Sequence, residues 1–200
     1  MYDFGGFDPK LQALQYLAMG HPQLATETAK LLASAGHRVL LNDRRAYDHG
    51  AWVPLLHLLP HADVPVYQLS MPHSLTPAQA YELGKSMQPL SKMGVLIIGS
   101  GSMTHNLYEF KLNAQGEALY AKEFSYWVRN KVQRHDVAAL VNALIEAPHA
   151  KRAHPSDEHY LPLLVALGSS SLDARLQVLD GGFTYGVLSM ESYAWHPTQW

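Results

Sequence analysis

One segment limits the fold more than any other: Gly94–Ser102, GVLIIGSGS. Val95 to Ile98 are apolar at every position, so an extended chain there is hydrophobic on both faces. That suits a strand covered from both sides, as in a parallel sheet, rather than one with a face open to water. The small residues that follow end the strand with a loop shaped for close backbone approach. Two further segments carry the same theme. Arg38–Asn42, RVLLN, predicts a short buried strand, and Val64–Met71, VPVYQLSM, a second.

Helical signals fall between these segments. Pro22 suits the first position of a helix carrying Leu24, Ala25, Ala29, Leu31 and Leu32, and Gly36 ends it. AYDHGA predicts a loop, and WVPLLHLL one or two helical turns stopped by Pro60. Thr76-Pro77 opens a helix to about Lys92. Leu119–Val132 reads as helical, Asp136 caps VAALVNALIEA, and Glu158–Leu167 follows as a further helix. RLQVLD and YGVLSMESYAW close the chain as strands. Strands alternating with helices predict an α/β fold, a three-layer sandwich around a mainly parallel or mixed central sheet, in a single domain over residues 1–200. In such folds ligands sit beyond the carboxyl ends of the strands. His49 and His105 follow two of those ends, so they are expected to converge on one edge of the sheet.

Composition excludes several functions. The net charge is −2 with no basic run, whereas a nucleic-acid surface needs clustered Lys and Arg. Cysteine is absent, which removes disulfides, thiolate metal sites and Cys nucleophiles. No apolar run approaches the roughly 20 residues of a membrane helix. The opening MYDFGGFDPK lacks the basic and apolar regions of a signal peptide. The expectation is a cytoplasmic protein with no nucleic-acid or membrane partner.

The unusual feature is twelve histidines. Imidazole is both a common metal ligand and the acid/base group that titrates nearest neutrality. His49 lies in DHG, beside an acid that serves equally well as a helix cap. His105 lies in GSGSMTHNL, where the loop favours a functional role. His159 lies in SDEHYLPLL, where acids at a helix start have a structural reason to be present. His57 and His61 have helical zinc-ligand spacing, but Pro60 disrupts their shared face. GSGS lacks the Lys of a phosphate-binding loop, and neither Ser100 nor Ser102 sits in a G-x-S-x-G elbow.

Several patterns then fall in order along nearly the whole chain: DFGGF, DHGAWVPL, ADVPVYQLS, GSGSMTHNL, EHYLPLLVALG and GVLSMESY. Together they resemble the class III extradiol ring-cleaving dioxygenases, in the DOPA 4,5-dioxygenase branch of the protocatechuate 4,5-dioxygenase superfamily. The resemblance implies cleavage of a catecholic substrate with O₂ at a non-haem Fe(II) site, which zinc can occupy in isolated proteins. It implies that His105 takes the second-sphere acid/base position, close enough to touch the metal as well. His159 matches a metal-ligand position. His49 matches a pocket histidine that binds substrate or assists proton transfer, with Asp48 and Trp52 beside it.

The sequence also departs from the family. Members begin with strands ending in HGSP-type and AHW-type motifs, each supplying a metal-binding histidine, and this sequence contains neither. The expectation is therefore a family domain lacking its N-terminal strands. Two consequences follow: the exposed sheet edge would favour a homo-oligomer, and an inactive, non-enzymatic binding protein is the alternative function. A metal-dependent hydrolase has no motif to support it.

Overall fold

The computed structural model describes residue 10 and residues 13–198, so the opening DFGGF motif lies outside the described residues. The chain divides into two compact units, residues 1–72 and 73–200.

In the first unit, Pro22 at the start and Gly36 just beyond the end delimit α1 (Pro22–Ser34). Gly36 has φ +87°, the left-handed conformation that glycine adopts without a Cβ penalty. Helix α2 (His49–Leu58) is longer than the sequence suggests and begins inside the predicted loop. Its cap is Asp48, whose Oδ1 accepts the Ala51 amide at 3.1 Å. The other carboxylate oxygen accepts Gln68 Nε2 at 2.5 Å, and the Asp48 amide donates to Gln68 Oε1 at 3.1 Å. DHG and QLS are thus two halves of one clamp between the start of α2 and the 64–70 segment. Tyr47 Oη donates to the Val66 carbonyl at 2.6 Å beside it.

In the second unit, a capping box between Thr76 and Gln79 starts α3 (Pro77–Ser91). The other helices are α4 (Leu119–Gln133), α5 (Val137–Val141), α6 (Ala143–Glu146), α7 (Ala150–Ala153) and α8 (Leu161–Ser169). The stretch after Asp136, expected as one helix, breaks at Asn142 into α5 and α6. Helices α3 and α8 touch through their backbones. A Cβ on Gly84 would lie 2.2 Å from the Val165 carbonyl oxygen, and one on Gly168 would lie 2.2 Å from that of Tyr81. Phe124 and Val128 of α4, Leu140, Tyr160 and Leu164 are fully buried and form the core of this unit.

The strands differ most from expectation. β1 (Arg175–Leu179) pairs with β4 (Ser192–His196), and β2 (Phe183–Thr184) with β3 (Leu188–Ser189), both antiparallel. RLQVLD is therefore a strand as the sequence indicates, whereas YGVLSMESYAW opens in a turn and divides into β3 and β4, which join different sheets. Residues 38–42, 64–71 and 95–102 enter no sheet among the described residues, where a single parallel bridge, Gly20 to Val66, stands in place of the expected central parallel sheet. Apolar patterning specifies an extended chain, but a strand also needs a neighbouring ladder. Arg129 of α4 ties down one end of the β1–β4 pair, donating through Nε to Glu191 at 2.8 Å and pairing with Asp180 at 3.0 Å. Tyr193 donates to the same Glu191 carboxylate. Among the described residues, no helix is long and apolar enough to cross a membrane.

Candidate active site

The second unit brings two of the predicted histidines together. The rings of His105 and His159 stack with centroids 3.5 Å apart and an interplanar angle of 19°. They arrive from segments 54 positions apart, so both must be held firmly, and the hydrogen bonds of the loop show how.

Every residue from Gly101 to Asn106 is anchored. A Cβ on Gly101 would lie 2.4 Å from the His159 carbonyl oxygen, and one on Gly99 would lie 2.2 Å from that of Pro162. The glycines of GSGS are thus required by the close approach of the α8 entry, not by a phosphate. The Ser102 amide donates to the His159 carbonyl at 2.9 Å, and its hydroxyl to the Thr104 carbonyl at 2.9 Å. The buried Thr104 hydroxyl donates to the Val187 carbonyl at 2.7 Å and accepts the Ser189 amide at 2.8 Å. His154 Nε2 donates to the Met103 carbonyl at 2.9 Å. The His105 amide donates to the Ala153 carbonyl at 2.8 Å, and Asn106 Nδ2 to the Arg152 carbonyl at 2.8 Å.

Electrostatics favour the neutral form of His105. Burial lowers its pKa, and the nearby Glu158 carboxylate offsets part of that effect. Burial alone would raise the pKa of Glu158. Its backbone and Ser156 hydrogen bonds and the two imidazoles nevertheless bring it below the ordinary carboxylate range. A half-buried, neutral imidazole with a carboxylate nearby can accept a proton and release it again.

The remaining predicted residues lie in the first unit. Asp48 acts as cap and clamp, His49 opens α2 with an exposed side chain, and Trp52 is buried. His105 and His49 thus belong to separate units.

The sequence reading missed His154. It is 5% exposed, packed against Phe124 and Tyr160 at ring-centroid distances of 5.3 and 5.6 Å. Its only sequence signal was its place in AHPSDEH, five residues before His159.

Comparison with known proteins decides the family. Residues 1–194 match the family described as the catalytic LigB subunit of aromatic ring-opening dioxygenase. The chain belongs to that LigB family. It is 37% identical over 199 residues to a 4,5-DOPA dioxygenase extradiol of Beta vulgaris, covering 99% of this chain and 74% of that protein. The Escherichia coli protein of the same name is 33% identical, with 96% and 72% covered. A crystal structure of an uncharacterized Escherichia coli K12 protein superposes with a TM-score of 0.78 at 32% identity, covering 90% of this chain and 75% of that one. LigB-family membership makes the chain an aromatic ring-opening dioxygenase by resemblance, and these matches do not favour the non-enzymatic alternative.

A metal is implied by this family, and the donor chemistry fits in part. Two adjacent imidazoles are suitable nitrogen donors for iron or zinc. No group of three or more His, Asp or Glu residues that could hold a metal ion occurs among the described residues. His105 and His159 place two imidazole rings side by side.

Proposed function

We propose that this LigB-family chain is an extradiol dioxygenase that opens a catechol-type ring with O₂ at a non-haem Fe(II) site, which zinc can occupy. The observation that carries the proposal is the stacked His105–His159 pair, held by an anchored loop at the entry of α8. The names of the Beta vulgaris and Escherichia coli relatives point to DOPA as a first substrate to test.

When bound, the iron supplies the redox chemistry that activates dioxygen and the positive charge that favours the catecholate. His159 would hold it through an imidazole nitrogen, and His105 would share in holding it only while its own lone pair is not taking up a proton. His105, kept neutral by burial, accepts a proton from a catechol hydroxyl and returns it as the ring opens. Family resemblance, rather than any measured contact, supports substrate contact by His49 with Asp48 and Trp52 nearby.

The test supplies the chain with Fe(II), DOPA or catechol, and oxygen, and follows the yellow ring-opened product. His105→Ala should lower kcat by roughly 10²–10⁴-fold, the usual contribution of a general acid/base residue. Turnover by His105→Ala equal to that of the unaltered chain would overturn the assignment.

A further inference from the structure

The structure assigns His154 as a positioning residue: its Nε2–H holds the Met103 carbonyl and thereby sets where the His105 ring meets that of His159. This inference rests on the proposed role of the His105–His159 pair and identifies what holds that pair.

The bond fixes the tautomer. A carbonyl oxygen only accepts, so Nε2 carries the proton and Nδ1 presents a lone pair. That lone pair is buried and has no hydrogen-bond partner among the described residues. A half-satisfied imidazole is a poor core residue, because burying a polar atom without a partner is unfavourable. Phe124 and Tyr160 offer it an aromatic environment that a phenyl ring would fill equally well. Packing therefore does not explain a histidine here; the bond to Met103 does.

That bond is one of three rungs between adjacent stretches. Met103 O accepts from His154, the His105 amide donates to Ala153 O, and Asn106 donates to Arg152 O. The central rung is the backbone of His105 itself. On the other side, Ser102 and Gly101 lie against the His159 carbonyl. Residues 101–106 are thus laced to the 152–154 stretch and to the turn that carries His159. Releasing the Met103 rung frees the residue two positions before His105.

Two variants separate the donor from the ring. His154→Phe keeps the ring shape and removes the donor. His154→Gln removes the ring but places an amide donor near the Nε2 position. Each is compared with the unaltered chain and with His105→Ala by Co(II) titration, amide hydrogen exchange and thermal melting. His154→Phe should weaken Co(II) binding roughly 10–100-fold, as loss of a ligand-orienting partner does. It should also speed exchange of the His105 amide while α3 amides keep their protection, and His154→Gln should restore most of both properties.

Wild-type Co(II) affinity in His154→Phe, with binding lost in His105→Ala, would overturn the positioning role alone. Wild-type affinity in His105→Ala would instead overturn the reading of the pair. In that case, unchanged His105 amide protection in His154→Phe would remove the positioning role as well. If His154→Phe does not fold, ¹⁵N imidazole spectra of the unaltered chain decide: an Nε2–H tautomer of His154 supports the inference, and an Nδ1–H tautomer overturns it.

Discussion

Burial brings the pKa of His154 down to about 4 from the 6.5 of an exposed histidine, with the neighbouring His105 and His159 rings adding to the effect and the Met103 carbonyl opposing it. The folded chain therefore keeps this ring neutral where the unfolded chain takes up a proton. Its contribution to stability is fully present above about pH 6.5 and is lost as the pH falls towards 4. At 1.36 kcal/mol per pH unit, the loss across that window is about 3 kcal/mol. Urea unfolding at pH 7 and pH 4.5 should show a loss of this order, and the slope should flatten in His154→Phe. The same residue shows where the sequence stops being informative. THNL and EHYLPL singled out His105 and His159 through a family pattern, and the structure brings these two rings together. His154 is recognisable only from its bond to a backbone carbonyl 51 positions away, which no local pattern records.

Secondary elements were readable in proportion to how local their causes are. Thr76-Pro77 and Pro22–Gly36 announced α3 and α1, because capping and helical periodicity act within a few residues. The 95–102 segment has a strand-like apolar pattern, yet it joins no ladder among the described residues, since pairing depends on a partner remote in sequence. Asp48 was readable as a cap, but its clamp with Gln68 was not, and α2 starts earlier than expected. The contact between α3 and α8 is likewise visible only in three dimensions. Gly84 and Gly168 are the sole side-chain-free points at which these backbones can meet so closely. Gly84→Ala forces the helices apart and should destabilise the second unit by about 1–3 kcal/mol, measured as a shift in its urea midpoint.

At the scale of the whole molecule, the 95–98 segment leaves apolar surface exposed. Leu96 is 70% and Ile98 44% exposed, while Val95 and Ile97 between them are partly covered. Alternate residues of one extended segment thus present a hydrophobic face, the kind of surface that binds apolar dyes and promotes association. The unaltered chain should enhance the fluorescence of anilinonaphthalene sulfonate at neutral pH. Leu96→Lys with Ile98→Lys should lower that signal at least severalfold without shifting the melting temperature of the helices. An unchanged signal would place the dye-binding surface elsewhere.

The anchored 101–106 loop has a consequence for how this protein can change its length. Surface loops usually absorb inserted residues with little effect, because few of their backbone groups are engaged. Here each successive residue meets a fixed partner, from the His159 carbonyl to that of Arg152. One added residue would move every later rung out of step and carry His105 away from His159. Among related chains, this stretch should therefore keep a constant residue count even where its side chains vary.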